Sequence, residues 1–208
     1  MKKFHSKLIW PSSPVWEVST DINISPQELN NLPWGSNRNN LEVDNKRQVV
    51  DLKYLSENYK TTSIHSIERL TSKESVISKL QELFDQDNEM FYNLYPFDRN
   101  RYTTFSSYLE KQLYVASYLV KDGAEYELTN HVDNRFTFGN IIINLVKNEN
   151  TTAFYEGINT KTPWYTSSQD QGKGVLFINS ERTVHNIKVS QTEPRYILMV
   201  KLLLTNLN

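Results

Sequence analysis

The sequence predicts a mainly β fold: an eight-stranded, double-sheet jelly roll with supporting helices ahead of it. Three observations lead there. Eight short β-prone segments crowd into about 95 residues of the C-terminal half. The connections between them are short, which leaves no room for the helical crossovers that parallel strands need. The best helical periodicity lies in the first half, where an amphipathic helix can dock on the sheets.

Taken in order, the first signal is a helix start at Ser25, Pro26 and Glu28. These supply a cap, a proline at the first helical position and a carboxylate reaching back, and the helix is expected to end near Leu32. Ser36–Lys46 is largely polar and reads as a surface loop. Thr71 and Glu74 repeat the capping-box spacing. Behind them Val76, Ile77, Leu80, Leu83 and Phe84 recur at helical period, predicting a helix over about 72–86. Otherwise the first 100 residues read as short helices and loops. Strands are expected at Gln112–Val120, Glu125–Asn130 after an Asp122–Gly123 turn, Phe138–Val146, Thr151–Glu156, Thr162–Ser167, Gly174–Ile178, Val184–Val189 and Arg195–Leu204. Phe138–Val146 is apolar almost throughout, as a strand buried on both faces would be. The expected organisation is one domain over 1–208, with a support region at 1–110 and a jelly-roll core at 111–208.

Bulk properties narrow the function. Hydrophobic residues make up 38% and charged residues 23% of the chain, an ordinary globular balance that argues against disorder. A net charge of −1 lacks the basic footprint of a nucleic-acid binder. The absence of cysteine excludes thiol catalysis, thiolate metal sites and a disulfide framework. No segment approaches the roughly 20 apolar residues of a membrane span. Pro11 interrupts the only apolar stretch near the N-terminus, so no cleavable signal is apparent and a cytoplasmic location is expected.

Four histidines occur: His5, His65, His131 and His185. His5 and His65 have no patterned partners and are expected at the surface. His131 and Asp133 stand one residue apart at the end of an expected strand. His185 opens a later strand, and Arg195 lies ten residues beyond it. Residues i and i+2 on extended chain point the same way, so His131 and Asp133 can reach one ion, with His185 arriving from a distant strand. Two imidazoles and one carboxylate on a single face of an octahedral metal are the facial triad of non-haem iron oxygenases. Such a centre needs electrons beyond those of Fe(II) to reduce O2. A chelating 2-oxo acid can supply them, and its distal carboxylate calls for a buried guanidinium, which Arg195 is spaced to provide. Each of these residues alone would usually be a surface, turn or salt-bridge residue; together they point to this chemistry.

These residues resemble a known family, the 2-oxoglutarate/Fe(II) oxygenases, and within it the prolyl-hydroxylase-like branch. The resemblance spans about residues 112–204. It is carried by VASY…G…Y…HVDN, from Val115 to Asn134, and by GVLFINSERTVHNIKV…PRYILMV, from Gly174 to Val200. It implies a double-stranded β-helix and oxidative decarboxylation of 2-oxoglutarate to succinate, with Fe(II) and O2 as the other participants. It also places Tyr118 where that branch has a tyrosine for the co-substrate carboxylate. Asn144 stands where relatives carry a second pocket tyrosine, a departure from the pattern. Halogenating relatives replace the metal carboxylate with a small residue, so Asp133 points to oxygen insertion.

Arg135 and Trp164 are the further candidates to face substrate, while Trp10, Trp16 and Trp34 are expected to serve packing. The substrate class implied is an amino acid or peptidyl residue, with proline in view. Two rival readings stand beside this one. A His2Asp jelly roll can hold another divalent metal and run isomerase or hydrolase chemistry, and a degenerate jelly roll can be a non-catalytic binding module. Oligomeric state is not legible in the chain.

Overall fold

The computed structural model describes residues 5–10, 13–35, 46–86, 105–189 and 192–205. Two antiparallel sheets face each other, with helices packed on the outer face of the larger one. In chain order the strands are β1 (His5–Trp10), β2 (Ser13–Ser19), β3 (Arg47–Asp51), β4 (Leu113–Asp122), β5 (Glu127–His131), β6 (Thr137–Asn144), β7 (Thr152–Tyr155), β8 (Tyr165–Thr166), β9 (Lys173–Ile178), β10 (Val184–Lys188) and β11 (Arg195–Leu204). The helices are α1 (Pro26–Asn30), α2 (Leu52–Asn58), α3 (Thr62–Leu70), α4 (Lys73–Gln86) and α5 (Phe105–Gln112). None of them is long and apolar enough to cross a membrane.

The larger sheet runs β1-β2-β9-β6-β11-β4-β3 and the smaller β5-β10-β7-β8. From β4 onward the chain passes back and forth between the two sheets, which gives a jelly-roll-like sandwich. All eight strands expected in the C-terminal half are present within a few residues of their expected bounds.

The first half differs from the expectation of helices and loops, because it also supplies β1, β2 and β3, which extend the larger sheet on both sides. These strands are short; β3 pairs with β4 residues more than 65 positions away and β2 with β9 residues more than 150 away. Their stability comes from covering sheet edges, a tertiary reason that local pattern does not carry. Val49 and Val50 are both buried, on opposite faces of β3.

Helix starts follow side-chain capping. Ser25 Oγ accepts from the Glu28 amide at 3.1 Å, as expected, but the Glu28 carboxylate accepts from the Thr61 hydroxyl at the start of α3 and not from the cap. Asp51 caps α2 by accepting from Lys53, and Thr61 caps α3 by accepting from Ile64. Ile64, Ile67 and Leu70 then bury one face of α3. At α4 the expected cap is displaced by one residue. Thr71 closes α3, donating its hydroxyl to Ile67, and Ser72 Oγ accepts from Ser75. Two abutting helices need a residue for each end, and Thr71 is taken by the first. The apolar face of α4 is buried at Val76, Ile77, Leu80 and Leu83; the Phe84 side chain and the 36–45 stretch of the expected loop lie outside the described residues.

Strand alternation gives the larger sheet two different faces. On β11, Leu198, Val200, Leu202 and Leu204 join the helices in one core. Ile197 and Met199 point between the sheets, with Ala116, Tyr118 and Val120 of β4, Val175 and Phe177 of β9, and Phe154 of β7. Trp16 and Trp34 pack on the helical side, in the role expected of them; the side chain of Trp10 lies outside the described residues. Gly174 lets β9 approach β6 closely, since a Cβ there would sit 1.8 Å from the Ile142 carbonyl oxygen.

Candidate metal centre

His131 ends β5 and pairs in register with His185 on β10, whose other neighbour is Phe154 on β7. The imidazole centroids are 4.3 Å apart. Asp133 lies beyond the strand end, so extended alternation is not what aims it. The Asn179 amide does so instead, donating to the backbone carbonyls of Asp133, Asn134 and Thr137 and folding that turn back over the smaller sheet. Asn140 on β6 donates to Asp133 Oδ2 at 2.7 Å. Ligand atoms of His131, Asp133 and His185 all fall within 4.8 Å of one another, the one such cluster among the described residues.

Both imidazoles are held in the same way. His131 Nδ1 lies 2.8 Å from the Thr129 carbonyl and His185 Nδ1 2.9 Å from that of Thr183. A carbonyl oxygen only accepts, so each Nδ1 carries the proton and each Nε2 keeps its lone pair for a metal. Burial holds the His185 pKa below its ordinary value, offset by the Asp133 carboxylate, and so favours the neutral, ligating form. Phe177 and Phe154 wall the His185 ring at centroid distances of 4.7 and 5.9 Å. Two neutral imidazoles and a carboxylate suit a divalent first-row metal.

Arg195 is fully buried at the start of β11, on the face that carries Ile197 and Met199 between the sheets. Its Nη2 donates to Thr152 Oγ1 at 3.0 Å, and its Nη1 lies 3.7 Å from Asp122 Oδ2. Asp122 is already bound through both oxygens by Arg47, at 2.5 and 3.0 Å. Two guanidiniums therefore share one carboxylate. The Nε and Nη1 of Arg195 have no hydrogen-bond partner. Burial pulls its pKa down to about 10, against the pull of Asp122. It is still charged at neutral pH, and a buried cation with unbonded donors is costly unless an anion completes it. A carboxylate-bearing ligand fits this site by charge and by donor count.

The remaining expected residues separate into two groups. Tyr118 faces the space between the sheets, and burial raises its phenol pKa. Trp164 packs against the same core, with its ring 5.9 Å from that of Phe154. Asn144 is buried, but its amide donates to the Ser168 carbonyl at 2.7 Å, so it braces the loop before β9. Arg135 is exposed, with its guanidinium over the Phe136 ring at 5.1 Å. His65 is on α3 beside Glu68, apart from the cluster.

Sequence reasoning missed Asn140, Asn179, Asp122, Arg47 and Thr152. Asn140 stands out only in retrospect, as a polar residue in the otherwise apolar strand after the His-x-Asp pair. Asp122 read as a turn residue beside Gly123, whereas β4 continues through it because Arg47 and Arg195 pair with it from both sides.

No family model matches the chain, and no curated protein matches it. Among solved structures, it is similar to the viral collagen prolyl hydroxylase of Paramecium bursaria Chlorella virus-1 in complex with 2-oxoglutarate. That match has 8% identity and a TM-score of 0.45 over 77% of this chain and 81% of the other. It is also similar to an oxidoreductase of the 2-oxoglutarate-Fe(II) oxygenase family from Burkholderia pseudomallei, with 8% identity and a TM-score of 0.40 over 98% and 73% of the two chains.

Proposed function

We propose that this chain is an iron(II)- and 2-oxoglutarate-dependent dioxygenase of the prolyl-hydroxylase-like branch. In this reading it is a single catalytic unit on an eight-stranded double-stranded β-helix. It hydroxylates an unactivated C–H bond of an amino acid or peptidyl residue, proline foremost, in the cytoplasm, with release of succinate and CO2. One observation carries the proposal: a buried guanidinium with unbonded donors opens on the same inter-sheet space as a His2Asp cluster.

His131, Asp133 and His185 would hold the iron. Iron bound there would supply O2 activation coupled to decarboxylation of the 2-oxo acid. The carbonyls of Thr129 and Thr183 fix which imidazole nitrogen is free, and Asn140 orients the Asp133 carboxylate. Arg195 would pair with the distal carboxylate of 2-oxoglutarate through the donors now unbonded, with Thr152 holding its third nitrogen and Tyr118 lining the wall between. Phe154, Phe177, Ile197 and Met199 keep that space apolar, which limits water and strengthens the charge pairing.

The test is anaerobic titration of Fe(II) into the protein with 2-oxoglutarate present, following the weak visible metal-to-ligand charge-transfer band. The band should appear in the native protein and vanish in His185→Ala. Iron binding without a band would favour a different metalloenzyme, and no metal binding at all would favour a binding module.

A further inference from the structure

β11 carries a second cation toward the inter-sheet space. Its register with β4 is unbroken from Arg195 to Leu204, so Lys201 shares the face of Arg195, Ile197 and Met199. Its partners across the two neighbouring strands are Ala116 and Asn140. Ala116 belongs to the inter-sheet core, and Asn140 holds the Asp133 carboxylate. Lys201 therefore lies at the metal end of the strand. Arg195 is six residues away, about 20 Å along the backbone at a strand rise of about 3.3 Å per residue. The two cations therefore start from opposite ends of the strand.

Lys201 is partly buried, and among the described residues no hydrogen bond or ion pair engages its ammonium. Burial lowers its pKa, the Asp133 carboxylate works against that, and Arg47 adds to the lowering. Ala116 opposite is small and leaves the ammonium room. The next position outward on this face of β4 is Tyr114, which is 57% exposed, and Phe136 is also exposed beside the β11 end. The edge of the sandwich next to the His2Asp cluster thus combines one unpaired cation with two exposed aromatic side chains.

We propose that Lys201 binds the carboxylate of the primary substrate, so that the substrate is a free amino acid and not a residue within a peptide chain. This rests on the dioxygenase reading above and narrows it. A carboxylate supplies the charge that Lys201 lacks, and the aromatic rim takes the apolar part of the molecule. The backbone flanking a mid-chain residue offers only neutral amides, which supply the ammonium with no counter-charge.

The experiment compares native protein, Lys201→Met and Lys201→Arg, each loaded with Fe(II) and 2-oxoglutarate. The charge-transfer band is recorded first. If the native protein shows none, the dioxygenase reading fails by itself. With the band present in all three, succinate release under O2 is measured with the free L-amino acids and, in parallel, with their carboxamides. We expect at least one acid to be turned over faster than its amide by native protein. Lys201→Met should raise KM for that acid about 10- to 100-fold, the worth of one charge-assisted hydrogen bond, with a smaller change in kcat. It should also abolish the preference for acid over amide, which Lys201→Arg restores in part. An intact band with no acid preferred over its amide would overturn the proposal. So would an acid preference that survives in Lys201→Met, or loss of 2-oxoglutarate binding in that variant.

Discussion

The two faces of the larger sheet are made by the same strands and differ in almost everything else. Facing the helices, β11 presents Leu198, Val200, Leu202 and Leu204, and β6 presents Ile141 and Ile143. Facing the smaller sheet, the same strands present Arg195, Ile197, Met199 and Lys201, and Asn140, Ile142 and Asn144. One face is a close-packed aliphatic layer whose value is burial. The other alternates apolar residues with polar groups that would be expensive in a core without a partner. Some of these polar groups are paired within the protein, as Asn140 is with Asp133, while Arg195 keeps two donors unbonded, which the proposed function gives to a ligand. On the proposed function, this difference separates stability from catalysis along a single strand, one residue apart.

The sharpest way to break the comparison is Arg195→Met. Removing a charge whose Nε and Nη1 are unbonded should weaken 2-oxoglutarate by about 100- to 10,000-fold, measured by calorimetry on the Mn(II) form, since two charge-assisted hydrogen bonds are lost. Thermal stability should hold or rise, because Asp122 keeps Arg47 and an apolar side chain replaces a buried cation. A large drop in Tm with unchanged affinity would make Arg195 a structural residue.

Leu198→Ala, on the opposite face, should do the reverse. It should cost about 2–5 kcal/mol of unfolding free energy in denaturant titration and leave metal affinity within a few-fold of native. Strongly impaired metal binding in a folded Leu198→Ala protein would mean that the two faces are coupled.

The smallest expected effect concerns pH. His185 is buried with its pKa lowered, so the unfolded chain takes up a proton at this position at a higher pH than the folded one. Metal-free stability should therefore fall as pH drops below the ordinary histidine value of about 6.5, and the slope should flatten in His185→Gln. A Tm independent of pH between 7 and 5 would remove this contribution.

The sequence alone was informative where a signal is local. Alternation and β-branched runs located the eight C-terminal strands. The apolar spacing Val76, Ile77, Leu80 and Leu83 located α4, and the His131-Asp133-His185-Arg195 set named four residues that the fold brings to the inter-sheet space or its edge. It was uninformative where the deciding contact is distant. β3 forms because Val49 and Val50 find β4, and Asp122 remains in a strand because arginines flank it from positions far along the chain. The His-x-Asp spacing also suggested simple strand alternation, yet Asp133 is aimed by Asn140 and Asn179.

What the sequence by itself determined is the order and period of the elements, which face of each strand is apolar, and the inventory of metal-ligating and cationic groups. These follow from side-chain period and chemistry, which need no neighbour to be read. Only the tertiary structure decided that His131 lies opposite His185, that Arg47 occupies the carboxylate Arg195 would otherwise own, and that Lys201 shares the inter-sheet face with Arg195, Ile197 and Met199. Each depends on register between strands far apart in the chain, and register is set by which faces can be buried together rather than by any residue's own preference.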